Sequence, residues 1–173
     1  DETEVTNVMY LEYLDYLKSV YPPDDPKYAN IYTGALPDTL VWRNRLGFNE
    51  TMTNNYLRHP AYAEYPVVGV NWVQAVQFSE WRTDRVNEAM LGREGYLDQE
   101  AKYKAMSGEI GGTFNTEAYL NSPESVYNGQ IDSLQGKKKT DSVSVFAKRS
   151  SGVILPEYRL PTETEWEYAA EAL

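Results

Sequence analysis

Only three segments of this chain carry a sustained helical hydrophobic period, and each follows a residue able to cap a helix: Thr6, Asn71 and Thr162. Their side-chain oxygens can accept from amides that the first turn of a helix leaves without partners. The stretches between are punctuated by proline and glycine and hold no steady period. A chain patterned this way reads as short helices set in an irregular frame.

The first helix is expected from Asn7 to about Val20, with Tyr10, Leu14, Leu17 and Tyr21 on one stripe. Pro22-Pro23-Asp24-Asp25-Pro26 ends it, because proline cannot extend the backbone ladder and restricts its predecessor. Residues 22 to 65 then look irregular, broken by Gly34, Pro37, Gly47 and Pro60 and studded with aromatic rings that include Trp42. Pro66-Val67-Val68-Gly69-Val70 is a short β-branched run, followed by Asn71 with Gln74 three residues on, a reciprocal capping arrangement. A helix should start at Trp72 and reach about Met90, with Trp72, Ala75, Val76 and Ser79 inward, Phe78 and Trp81 flanking, and Arg82, Asp84, Arg85 and Glu88 on the solvated side. The third block repeats the capping logic with Thr162 and Glu165, puts Glu163 and Glu165 in a first turn that the helix dipole favours, and turns Trp166, Ala169, Ala170 and Leu173 inward.

From Leu91 to Glu157 the composition shifts to Gly, Ser, Asn, Lys and Asp, with helical hints only at 97–106 and 117–120. Val143 to Ala147 alternates like a strand and Val153-Ile154-Leu155 is a second apolar run, and either could form an edge hairpin. A region this long without a period reads as an insertion, either a partner-binding feature or a surface excursion.

Composition limits the chemistry. The 173 residues suit about one domain and carry 16 basic against 26 acidic side chains, a net charge of −10 that disfavours nucleic acid. There is no cysteine and one histidine, which excludes disulfides, a cysteine nucleophile and a paired-imidazole zinc site within these residues. No apolar run is long enough to span a bilayer. Asp1 follows no methionine and Leu173 falls inside a helical pattern, so the chain is expected to be part of a longer protein.

The individual candidates are weak. Glu163, Glu167 and Glu171 read as a solvated acidic face rather than a catalytic set, because no partnered base or metal ligand accompanies them. His59 precedes Pro60 in a polar loop with no nucleophile in sight. Asp24-Asp25 and Asp98 to Glu100 offer oxygens without the spacing of a calcium loop, and Gly108 to Gly112 lacks the strand and spacing of a nucleotide loop. Lys137-Lys138-Lys139 reads as a solvated loop, and Asn49-Glu50-Thr51 as a glycan acceptor only in a glycosylating compartment. Asp38-Thr39-Leu40, Asp132-Ser133-Leu134 and Asp141-Ser142-Val143 have the form of a bacterial O-glycosylation acceptor. Fifteen tyrosines against four phenylalanines favour wet cores and binding surfaces.

Three blocks, in order, resemble the formylglycine-generating-enzyme (sulfatase-modifying factor) family: Glu4-Val5-Thr6-Asn7 with Tyr10; Pro66 to Trp72 with Ala75 and Trp81; and Tyr158-Arg159-Leu160-Pro161-Thr162-Glu163 running to Ala170. The resemblance implies an α+β fold, an irregular domain related to C-type-lectin-like folds with two or three helices on short strands. It places residues 1–173 within one such domain, as its amino-terminal half, with blocks at 1–21, 66–90 and 158–173 and an insertion at 91–157. The missing half would leave apolar surface at Trp72, Trp81 and Trp166 uncovered, and Arg159 is expected as a buried pairing arginine.

Within the family the stretch from Trp42-Arg43-Asn44-Arg45 to Tyr62 and the long insertion are most similar to gliding-motility lipoproteins that look like catalytically dead relatives of the enzyme. That likeness implies a non-catalytic periplasmic scaffold at the outer membrane, partnered by sister lipoproteins and ring components of the gliding and type 9 secretion machinery and anchored by a lipid outside this chain. It carries over no catalytic, cofactor-binding or metal residue and no cofactor, calcium in the completed domain remaining an open expectation. The alternatives are an oxidase of the parent family whose cysteines lie elsewhere, and a glycan-binding module.

Overall fold

The computed structural model describes residues 3–131, 139–140 and 143–171, which divide into two compact units, 1–78 and 79–173. Lys137, Lys138, Asp132-Ser133-Leu134, Asp141-Ser142 and Leu173 lie outside the described residues.

The first unit is organised by helix α1, Asn7–Val20, which has the bounds and the cap that its sequence predicts: the Thr6 hydroxyl accepts from the amide of Met9 at 3.4 Å. Tyr10, Tyr13, Leu14 and Leu17 are buried along it, with Tyr13 taking the place expected for Tyr21. Phe78 closes this core, its ring stacked on Tyr10 at 5.6 Å and edge-on to Tyr13 at 5.7 Å. The Tyr10 hydroxyl donates to the Ala35 carbonyl at 2.8 Å, so a buried phenol is satisfied by backbone.

Residues 22–65 have more order than their pattern suggests, with helices α2, Ala29–Ala35, and α3, Glu50–Asn55, and single 3-10 turns at Thr39–Trp42 and Pro60–Tyr62. These pieces are too short for a hydrophobic period to develop; they are held from outside. Asn7, fully buried, donates its amide to the carbonyls of Tyr56 and Tyr62 at 3.2 and 2.9 Å. A chain of rings runs alongside, Trp42 to Tyr56 at 4.7 Å, Tyr56 to Tyr62 at 5.3 Å and Tyr62 to Tyr65 at 5.7 Å. The run Pro66–Val70 is not a strand: it makes one bridge, Thr6 to Pro66, and then turns at Gly69, whose φ of +85° is open to glycine but strained for other residues.

Helix α4, Trp72–Arg93, starts where the sequence places it, with Asn71 and Gln74 capping each other's amides at 3.0 and 2.8 Å. Its faces differ from expectation. Trp72 is 71% exposed, whereas Gln74, Thr83, Asn87 and Glu88 are buried. Gln74 is turned inward because its amide also serves the carbonyls of Gly34 and Leu36, each at 2.9 Å.

The second unit draws its core from residues that the sequence reads as an insertion. Leu91, Leu97, Ala101, Phe114, Tyr119, Val126, Tyr127, Ile131 and Ala147 form one buried cluster. Helices α5, Ala101–Met106, and α6, Thr116–Asn121, sit where the helical hints fall, and each supplies one or two core residues rather than a stripe. The expected hairpin is reduced to a two-residue antiparallel ribbon, β1 at Lys139–Thr140 with β2 at Val143–Ser144, and Val153-Ile154-Leu155 is not a strand. Among the described residues this ribbon is all the sheet there is, so the short strands expected of an α+β fold are met only here and the fold is mainly helical.

Tyr119 shows how that core is pinned. Its ring lies 5.5 Å from Phe114 and 6.2 Å from Phe146, its oxygen accepts from the Ala147 amide at 2.9 Å, and burial pushes its phenol pKa up. Tyr119→Phe keeps the ring and strands that amide, so a loss of about 1–3 kcal/mol is expected by denaturant unfolding. Tyr119→Ala should lose roughly 3–5 kcal/mol by adding a cavity to the stranded amide. Equal losses from the two would show that the hydrogen bond, not the ring, holds the cluster.

The last helix, α7, runs Glu163–Glu171 and has the predicted cap: Glu165 accepts from the Thr162 amide at 2.8 Å and the Thr162 hydroxyl accepts from Glu165 N at 3.3 Å. None of its residues is buried, and Trp166 stands 64% exposed. The uncovered surface expected at Trp72 and Trp166 is present, while Trp81 is partly buried. Arg159 does pair, with both oxygens of Glu165 at 2.8 and 2.9 Å, but in the open rather than buried.

Candidate functional site

The polar side of α4 that looked solvated is a clamp in the second unit. Thr83, Asp84, Asn87 and Glu88 recur at three- and four-residue spacing, which puts them on one face of the helix. Asp84 accepts from the Thr116 amide at 2.7 Å and from the Asn115 side chain at 3.1 Å, and so positions the start of α6. Asn87 both donates to the Leu155 carbonyl at 3.2 Å and accepts from the Leu155 amide at 2.8 Å. The Thr83 hydroxyl accepts from the Tyr158 amide at 2.8 Å. An α-helical face thereby supplies partners for the Leu155 amide and carbonyl and for the Tyr158 amide.

Glu88 lies at the bottom of the clamp. One of its oxygens accepts from the Tyr127 hydroxyl and the other meets the Arg85 guanidinium at 2.7 Å, and Arg85 also donates to the Phe114 carbonyl at 2.8 Å. Burial pushes the Glu88 carboxyl pKa up, opposed by Arg85 and by the Tyr127 hydroxyl. Tyr127 and its neighbour Asn128 adopt φ of 53° and 54°, a left-handed pair that costs on the order of 1–2 kcal/mol per residue. Gly112 makes room for them: a Cβ there would stand 2.6 Å from the Asn128 nitrogen. The Glu88 acceptor and the Gly112 gap together hold a turn that the backbone alone disfavours.

Two carboxyls in this unit should oppose each other as pH changes. Glu88 has its pKa raised in the folded state, so its contribution to stability falls as pH rises from the ordinary value of 4.5 through the raised value. Glu165, held down to about 2 by Arg159 and Thr162, contributes above 4.5 and loses that contribution as pH falls toward 2. Urea midpoints across this range should therefore decline on the alkaline side in the native chain, and Glu88→Gln should flatten that decline. A decline unchanged in Glu88→Gln would assign it to another group.

Above the clamp a groove of about 700 Å³ is lined by Glu80, Asp84, Glu117, Arg149, Glu157 and Tyr158, with Ile154 and Leu155 as its apolar floor. Arg149 is tied to Glu117 at 2.7 Å, which leaves the rim net acidic. Such a surface suits a basic polypeptide segment with an aliphatic residue to bury.

The residues singled out in the sequence serve structure. His59 accepts the Ala61 amide at its Nδ1 at 3.1 Å and caps a 3-10 turn. Asp25 accepts from the Lys27 amide at 2.9 Å, and Asp98 accepts from the Glu100 amide at 2.8 Å while pairing with Lys104 at 3.0 Å. Asp38 caps the turn at Thr39–Trp42. Glu163, Glu167 and Glu171 are exposed on or beside α7. Among the described residues no three histidine, aspartate or glutamate side chains converge as for a metal ion, and no helix is long and apolar enough to cross a membrane. Of the fifteen tyrosines five are buried, Tyr10, Tyr13, Tyr56, Tyr119 and Tyr127, and the others are half-buried or exposed. The clamp itself escaped sequence reasoning; the one local signal was the Arg85–Glu88 pair at i, i+3.

A family model for the sulfatase-modifying factor enzyme 1-like domain matches residues 1–172. No curated protein and no solved structure matches the chain.

Proposed function

Since the chain belongs to the sulfatase-modifying factor enzyme 1-like domain family, we propose that it acts in that family as a non-catalytic scaffold, of the kind of the gliding-motility lipoprotein GldJ, in the gliding and type 9 secretion machinery. On this reading it faces the periplasm at the outer membrane, held by a lipid anchor beyond these residues, and meets GldK-like lipoproteins and ring components. The observation that carries the reading is the acidic groove over the α4 clamp, which the insertion 91–157 helps to line with Glu117, Arg149, Ile154, Leu155 and Glu157. Three of the acidic and imidazole side chains near polar loops, His59, Asp98 and Glu165, are occupied in caps and pairs, and Glu163, Glu167 and Glu171 are exposed.

Deleting the insertion is a poor test, because Leu97, Phe114, Tyr119 and Tyr127 belong to the core and their loss would unfold the unit. Charge reversal at the groove rim, Glu80→Lys with Glu157→Lys, leaves that core alone. Crosslinking mass spectrometry on the full-length protein in its native envelope should recover motility or secretion proteins linked at Lys102 or Lys104, and the double variant should lose them. Links surviving in the variant would remove the groove from the interface.

The second reading is an oxidase of the parent family, since the domain that matches is named for its likeness to an enzyme. Formylglycine formation on a sulfatase-type peptide by the full-length protein, with sulfatase-like clients as the recovered partners, would put that reading first.

A further inference from the structure

Asn128-Gly129 is the one Asn-Gly step in the chain, and it falls on the left-handed pair Tyr127 and Asn128, which among the described residues are the only ones besides glycine with positive φ. An asparagine side chain that precedes glycine is open to attack by the next backbone nitrogen, because no side chain shields that nitrogen. Asn128 is also exposed to water. The step and the access for a covalent change are both present, and geometry decides whether it runs.

The closed turn sets that geometry against reaction. Asn128 has φ of 54° and ψ of 37°. Substituents on a tetrahedral Cα lie a third of a turn apart, so at this ψ the Gly129 nitrogen stands nearly opposite the Asn128 Cβ across the Cα–C bond. Closing a five-membered ring through Cγ needs the two on the same side, which takes close to half a turn of ψ. The carboxamide is hemmed in as well: a Cβ on Gly112 would stand 2.9 Å from its Cγ, and one on Gly111 3.1 Å from its Nδ2. Around it the Tyr127 amide donates to the Thr113 carbonyl at 3.2 Å, the Gln130 amide to the Tyr127 carbonyl at 3.1 Å, and the Tyr127 hydroxyl to Glu88. Rotation at Asn128 has to break this frame.

We propose that Asn128 is a deamidation site gated by the turn, held from cyclising while the turn is closed and converted to aspartyl and isoaspartyl forms when it opens. In the open turn the Gly129 nitrogen bonds to the Asn128 Cγ and gives its proton to solvent, the Cγ–Nδ2 bond breaks, and Nδ2 leaves as ammonia. Water then adds to either carbonyl carbon of the succinimide and breaks its bond to the Gly129 nitrogen, which takes back a proton. Loss of ammonia makes the conversion one-way. The isoaspartyl product carries an added backbone carbon that does not fit the left-handed pair against Gly112, so converted molecules release Tyr127 from Glu88. The claim is independent of the scaffold reading, whose groove does not include this turn.

The test is peptide mapping by mass spectrometry on the purified chain, kept in mildly alkaline buffer made with heavy-oxygen water, which labels each side chain converted during the incubation. Unfolded in urea, the chain should convert at Asn128 ahead of its other asparagines. Folded, it should convert far more slowly, in proportion to the population of the open turn. Glu88→Gln removes part of the acceptor for Tyr127, and Gly112→Ala puts a Cβ 2.6 Å from the Asn128 nitrogen. Each should raise the folded-state rate by roughly tenfold or more. In the native chain, urea below the unfolding transition should speed conversion at Asn128 and hydrogen exchange at Tyr127 together. Equal rates in the folded and unfolded native chain, or no conversion in the unfolded one, overturns the proposal. So does a conversion rate that stays flat while exchange at Tyr127 rises, or a folded variant that converts no faster than the native chain.

Discussion

Glu88→Ala is expected to cost the second unit about 3–5 kcal/mol, the usual penalty for breaking a buried ion pair by removing one partner. The variant takes the carboxylate from Arg85, whose side chain is only 16% exposed, and the acceptor from the Tyr127 hydroxyl. It also releases Tyr127 and Asn128 from the left-handed turn, so the damage should extend beyond the ion pair. Glu88→Gln keeps the shape and one acceptor for Tyr127, and should lose less, about 1–3 kcal/mol. Because the chain has two units, a single global midpoint can mix two transitions. Hydrogen exchange at Phe114 to Tyr127 reads the affected unit directly, and protection there should fall in Glu88→Ala while the amides of α1 keep theirs. A loss below about 1 kcal/mol would put Glu88 with the exposed pairs that stabilise little.

The same cluster shows what a sequence can disclose. Caps were legible because their partners are three residues apart: Thr6 with Met9, Asn71 with Gln74 and Thr162 with Glu165 all follow from helix-start chemistry. The clamp was not, because its pairs are separated by 39 residues for Glu88 and Tyr127, 68 for Asn87 and Leu155, and 75 for Thr83 and Tyr158. A polar residue whose partner lies that far along the chain looks solvated, so Glu88 and Asp84 read from sequence as the wet face of α4. The core of the second unit was hidden for a related reason. Leu97, Ala101, Phe114, Tyr119 and Ile131 each arrive on a separate short piece, so no window contains enough of them to form a period. The exposed tryptophans were foreseen at Trp72 and Trp166 because the family resemblance, not the local pattern, set that expectation.

Gly69→Ala is the second large loss expected, and it falls in the first unit. A Cβ at Gly69 would stand 2.2 Å from the Asp38 carbonyl oxygen, and the residue has a φ of +85°. The Asp38 amide donates to the Gly69 carbonyl at 2.8 Å, so the two segments cannot part without giving up that bond. The left-handed backbone costs roughly 1–2 kcal/mol for a side chain and overpacking against backbone about 1–3 more, for a loss of about 2–5 kcal/mol in unfolding experiments. Gly34 supplies the contrast, since it lies inside α2 with open space where its Cβ would go. There alanine should be neutral or stabilising by up to about 1 kcal/mol through helix propensity. Displacing Asp38 also loosens the cap on Thr39–Trp42. Equal stability losses at Gly69 and Gly34 would mean that this close approach to Asp38 does not form.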